Sequence, residues 1–228
     1  MADPYLAPLL ALSVTLAAYQ VALLLQQRLR LVMLQPVLIT TALVASLLWA
    51  ASVPYEHYRS ASGTLSLLLG PTTVGLAVPL YRNIQRVISL SGPLLITLSV
   101  GGIVGVTLTL ALGWLFGLSP TLLMSLAPKS VTMPIALPLS GHFGGLVSLT
   151  AVIVMLTGVI STTLALPLLK LFRVEDPAAR GLTLGMNGHA IGTAHALREG
   201  QETAAFSALG MILLGIATAV LLPVALAV

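Results

Sequence analysis

Along this chain apolar residues do not alternate with polar ones; they run on. Residues 31–55, 60–81, 87–128, 130–169 and 203–228 contain no Asp, Glu, Lys or Arg. A helix crosses the hydrocarbon of a bilayer with about 20 apolar residues, so each stretch holds one span and the longest two hold two. The pattern predicts segments at about 5–26, 31–52, 64–81, 91–116, 119–142, 145–171, 181–198 and 203–228. It describes an all-α polytopic membrane protein of about 6–8 transmembrane segments, with residues 1–228 forming a single integral membrane domain.

Two of these segments are unlike ordinary spans. Residues 119–142 carry Pro120, Pro128, Pro134 and Pro138, and residues 181–198 carry Gly181, Gly185, Gly188 and Gly192 together with Asn187, His189, Thr193 and His195. An interior proline removes a backbone hydrogen bond and crowds the preceding turn. In lipid the freed carbonyls need a partner from protein, water or ligand. Both segments are therefore expected to be broken or re-entrant and to face a polar cavity. Helix breaks are expected at Pro71, Pro128, Pro134, Gly185, Gly188 and Gly192, although Gly188 and Gly192 also form a GxxxG pair suited to close helix packing.

An internal echo adds to this. "GPTTVGLAVPL" from Gly70 resembles "APKSVTMPIALPL" from Ala127, with Pro71 matching Pro128 and Val74 matching Val131 at an offset of 57 residues. The same offset carried on from Pro128 reaches Gly185. Inverted repeats with paired broken helices are the usual build of secondary transporters, which hold substrate where the breaks meet.

Composition agrees with the pattern: 57% of the 228 residues are hydrophobic and 7% charged, with a mean hydropathy of +1.06. The net charge of +4 does not point to nucleic acid, because most basic residues sit at the ends of apolar segments, as topology determinants do. If residues 119–142 turn back instead of crossing, Arg82, Arg86, Lys170, Arg173 and Arg180 all fall on one side, in accord with the positive-inside rule. The chain has no cysteine, so disulfides, thiolate metal sites and cysteine catalysis are excluded. The start "MADPYLAPLL" lacks the basic region of a cleavable signal and reads as the beginning of a first span in a bacterial inner membrane.

Candidate chemistry centres on Lys129, which lies in "SLAPKSVTMPIA" between Arg86 and Lys170, its nearest charged neighbours in sequence. A cation at mid-depth is costly and by default functional; the alternative is that it snorkels to an interface. A break after Pro128 would leave free N–H groups at the start of the next half-helix, an arrangement that attracts anions. Lys129, Ser130 and Thr132 thus suit a small carboxylate. Asn187, His189 and Thr193 offer an opposite wall, His189 and Thr193 sharing a helix face at a spacing of four. His189 and His195 are the candidates for proton coupling, or simply bond neighbouring helices. Thr72 and Thr73 stand where Lys129 and Ser130 stand in the echoed motif. His142 reads as interfacial. The six acidic residues all fall in loops or at segment ends. No HExxH, GxSxG or phosphate-loop pattern occurs, so no enzyme, cofactor or metal is expected.

"LLGPTTVGLAVPLY", "LAPKSVTMPIA" and "ARGLTLGMNGHAIGTAHAL" resemble, in order, the signatures of the LrgB/CidB family of bacterial membrane proteins. They are also similar to the C-terminal half of the plastid glycolate/glycerate translocator. The resemblance implies two competing functions: transport of small monocarboxylates of the glycolate, glycerate, lactate or pyruvate class, or a holin- or antiholin-like role in murein hydrolase regulation and lysis. It also implies a small LrgA/CidA-type membrane partner. A homodimer in the bilayer is expected. The single buried cation and the paired breaks favour the carrier, since a pore needs no precisely placed lysine.

Overall fold

The computed structural model describes residues 6–29 and 35–226, and every regular element among them is an α-helix. The chain divides into two compact units, residues 1–75 and 76–228.

In the first unit, α1 (Leu6–Leu29) is long and apolar enough to cross a membrane. Its Ala11, Ala18 and Ala22 are buried, a strip of small side chains that lets a neighbouring backbone come close. It packs on α2 (Pro36–Ala50), which starts with proline in the first turn, where a missing N–H costs nothing. The short α3 (Tyr55–Ala61) joins α1 through Tyr58, whose hydroxyl lies 2.8 Å from that of Thr15. Then comes α4 (Gly63–Gly75), which runs through Pro71. The break expected at Pro71 is therefore absent. The interruption falls at Leu76, before α5 (Ala77–Arg82), because Pro79 has no N–H to offer the carbonyl four residues back and its ring crowds it.

The second unit continues with α6 (Ile84–Ser89), α7 (Ser91–Leu115), α8 (Pro120–Leu126), α9 (Met133–His142), α10 (Val147–Leu171), α11 (Pro177–Glu199) and α12 (Gln201–Leu226). The helices α7, α10 and α12 have 25, 25 and 26 residues, about 38 Å each at 1.5 Å per residue, and are apolar enough to span. Their outward side chains, such as Ile96, Ile103, Leu164 and Val220, are exposed, as lipid-facing positions are.

Between the long helices the chain twice enters and turns back. The first hairpin is α8 and α9, separated by residues 127–132. Pro120 occupies the first turn of α8, and the Ser119 hydroxyl accepts from Leu122 N at 3.4 Å. After α9 the chain lies against α8 again: Leu146 N donates to Ser125 Oγ at 2.8 Å. Thr150 of α10 locks this return, its hydroxyl 2.6 Å from Ser140 Oγ and 3.1 Å from the Ser125 carbonyl oxygen. The expected break at Pro128 is thus present, whereas Pro134 starts α9 from its first turn.

The second hairpin is α11. Its backbone leaves helical geometry at His189 (φ 38°, ψ −123°), and the limbs 177–188 and 190–199 fold onto each other. Gly192 lies against the carbonyl of Leu184, eight residues earlier. Both limbs pack on α12, the first through Gly181 and Gly185 against the Thr203 and Ser207 carbonyls and the second through Thr193, whose hydroxyl lies 2.9 Å from that of Ser207. The breaks expected at Gly185, Gly188 and Gly192 are therefore displaced to His189. Gly185 and Gly192 serve by having no side chain where backbones touch, and Gly188 where the Thr162 side chain packs; none of them bends the helix.

The hairpins enter from opposite ends of the long helices. Arg86, just before α7, bonds Asp176 at 3.2 Å and Glu202 at 3.3 Å, so the start of α7 shares a face with the base of the second hairpin. The first hairpin opens from the other end, where α7 finishes. Pro120 and Pro177, which begin the two hairpins, are 57 residues apart. The offset of 57 residues carried on from Pro128 does not lead to a break at Gly185, since that segment turns at His189.

Candidate functional site

The two hairpins approach each other midway along the long helices. There a cleft of about 90 Å³ is lined by Gly101, Gly102, Gly105 and Val106 of α7, residues 127–131 of the first break, Met186 and Asn187 beside the second, and Leu214 and Thr218 of α12. That volume admits a few waters or a solute of a few heavy atoms. Gly101 makes room for Met186, and Gly102 for Leu214. An apolar core that includes Leu98, Val131, Val154, Met186 and Leu214 holds the elements together.

Lys129 stands at the first break because the chain there is neither α8 nor α9. Its N–H bonds the Leu126 carbonyl at 3.0 Å, which closes the last turn of α8, and Val131 N bonds the Pro128 carbonyl at 3.3 Å. The Lys129 ammonium touches Ser130 Oγ at 3.5 Å. Among the described residues no carboxylate pairs with it; the ion pairs of Glu56, Asp176, Glu199 and Glu202 all involve other residues. It is a half-buried cation facing a small cleft, with no counter-charge among the described residues. Asn187 faces the same cleft. Its amide donates to the Thr183 carbonyl at 3.0 Å, which leaves the side-chain oxygen open.

Of the expected substrate residues, Lys129, Ser130 and Asn187 line the cleft together. Thr132 does not; it precedes α9 and caps it only through its backbone carbonyl. Thr193 is buried against α12, its hydroxyl 2.9 Å from that of Ser207. It does not share a face with His189, because the kink at His189 destroys the helical register assumed between them. The side chains of Thr72 and Thr73 lie outside the described residues.

His189 is 3% exposed and sits behind Asn187, outside the cleft lining. Its ring packs against Gly158 of α10. Nε2 is buried without a partner among the described residues. The Thr162 hydroxyl, which faces Gly188 one turn along α10, also has none. His195 is elsewhere, at the base of the second hairpin, 3.4 Å from Glu199. The glycine face of α7 and Thr218 of α12 escaped the sequence reading. The "GGIVG" spacing of 101, 102 and 105 on one helix face was the available signal.

The LrgB-like family pattern matches residues 15–228. The chain belongs to the LrgB-like family. Two relatives of this LrgB-like chain are from Bacillus subtilis (strain 168). "Uncharacterized protein YwbG" is 33% identical over 210 residues, which cover 92% of this chain and 93% of the relative. "Uncharacterized protein YxaC" is 36% identical over 199 residues, 87% of this chain and 86% of the relative. No solved structure matches the LrgB-like chain significantly. No group of three or more His, Asp or Glu residues suited to a metal occurs among the described residues.

Proposed function

We propose that this LrgB-like protein is a secondary transporter of small monocarboxylates of the glycolate, glycerate, lactate or pyruvate class, residing in a bacterial inner membrane. The observation that carries this reading is Lys129: a cation without a counter-charge among the described residues, at a helix break, in a cleft sized for a few heavy atoms. A monocarboxylate supplies the missing charge, while Ser130 and Asn187 offer polar contacts at either side. The two opposed hairpins support alternating access, since each separates the cleft from a different end of the long helices. Arg86, Arg180 and Arg198 share the face where the second hairpin opens; the positive-inside rule makes it the cytoplasmic face.

His189 is the candidate for carrying a coupled proton, its Nε2 being buried and unpartnered beside the cleft. A homodimer is part of this proposal, and the resemblance adds a small LrgA/CidA-type partner.

The test is uptake of radiolabelled glycolate into proteoliposomes, wild type beside Lys129→Gln. The carrier reading expects saturable uptake, competition by unlabelled glycerate or lactate, and loss of uptake in a folded Lys129→Gln protein. A non-saturable leak unchanged by Lys129→Gln would instead support a holin-like pore.

A further inference from the structure

Thr218 is the one cleft-lining hydroxyl on α12 and is 8% exposed. Threonines in apolar helices ordinarily satisfy their hydroxyl by donating to the carbonyl four residues back. Thr162 and Thr163 do not, whereas Thr15, Thr40, Thr41, Thr107, Thr109 and Thr183 do so here, at 2.6–2.8 Å. Thr218 does not: its hydroxyl makes no hydrogen bond to any described residue. Thr218 is not among the fully enclosed hydroxyls without a partner, as Thr162 and Thr163 are; its hydroxyl is open, and the residue borders the same small space as Lys129. Leu214, one turn earlier on α12, lines that space too and is pressed close to Gly102, so the Thr218 position belongs to the wall of the cleft.

We infer that Thr218 is a specificity-determining residue that hydrogen-bonds the oxygen on the second carbon of a 2-hydroxy or 2-oxo monocarboxylate whose carboxylate lies at Lys129. This rests on the carrier reading above and deepens it. A hydroxyl both donates and accepts, so it serves a 2-hydroxy acid in either role and a 2-oxo acid as donor. An acid with hydrogen in place of that oxygen leaves Thr218 unpaired, and sites built to bond a substrate oxygen reject such analogues strongly. The cleft thereby separates glycolate from acetate and lactate from propionate, pairs of nearly equal size that differ by one oxygen.

The experiment measures inhibition of radiolabelled glycolate uptake in proteoliposomes by lactate and by propionate, for wild type, Thr218→Val and Thr218→Ser. Wild type is expected to prefer lactate by roughly tenfold or more. Thr218→Val, which keeps the shape and removes the hydroxyl, should bring the ratio towards one while leaving the potency of propionate unchanged. Thr218→Ser should keep the preference. The inference is overturned if Thr218→Val retains the wild-type ratio or weakens both acids equally. Should Thr218→Val fail to fold, Thr218→Ala is read in its place by the same ratio. Saturable wild-type uptake with no preference for lactate would overturn the role of Thr218 and leave the carrier standing. Absence of wild-type uptake would overturn both.

Discussion

Arg180 donates to both oxygens of Glu199, at 2.9 and 2.8 Å, although 19 residues separate them. In one straight helix they would lie about 28 Å apart. The pair is the clasp that closes the base of the second hairpin. It lies at the mouth of the fold, outside the spanning segments, and hydrogen bonding from Arg180 holds the Glu199 carboxyl below its usual range. Because the folded value is the lower one, the clasp contributes fully above the ordinary carboxylate range and is lost as pH falls through the lowered value. Glu199→Gln should cost roughly 1–3 kcal/mol at neutral pH and flatten the acid limb of the melting temperature against pH, measured on purified protein in detergent.

Lys129 works against the fold that holds it. Lys129→Met removes a cation from mid-depth and should raise stability, by up to about 2.5 kcal/mol on insertion scales, while abolishing saturable uptake. A melting temperature measured beside uptake checks both. A variant that is markedly less stable would show that Lys129 is held by structure and not exposed for a ligand.

The glycines of the second hairpin answer to space. A Cβ at Gly185 would collide with the Ser207 backbone, whereas one at Gly105 in the interior of α7 meets nothing within 4 Å. Gly185→Ala is expected to destabilise by about 3 kcal/mol, the upper part of the range for overpacking. Gly105→Ala should stabilise by up to about 1 kcal/mol, since alanine orders a helix at lower entropic cost. Thermal unfolding of the two variants gives the comparison directly.

The chain has no cysteine, so single cysteines report on topology without background. Phe116→Cys and Phe143→Cys flank the first hairpin and should label from the same side of the membrane. Glu175→Cys, between α10 and α11, should label from the other. An impermeant maleimide on intact cells and on inverted vesicles distinguishes them. Phe116→Cys and Phe143→Cys labelling from opposite sides would mean that residues 119–142 cross.

Much of this architecture was legible in the chain. Long uncharged runs mark α7, α10 and α12 because apolar length is what a bilayer demands. Prolines flag the first hairpin, and Lys129 was conspicuous for its isolation. The turn at His189 was not legible, because glycines that bend a chain and glycines that let backbones touch have the same signature. The Thr193 position misled for the same reason: its register with His189 presumed an unbroken helix. Pro71 and Pro79 look alike in sequence, yet only the helix near Pro79 is interrupted. Thr218 was hidden because α12 reads as an ordinary span, and the fate of its hydroxyl depends on what stands opposite.

If the proposed carrier reading holds, the lysine at the first break also sets the electrical character of the cycle. With a monocarboxylate at Lys129 the cleft would be neutral; without one it would carry a full positive charge. A carrier that returns empty therefore moves that charge through whatever part of the membrane field the hairpins redistribute, at about 2.3 kcal/mol per charge for each 100 mV. One that returns with a second monocarboxylate does not. Voltage would then act on the empty half of the cycle and leave exchange untouched.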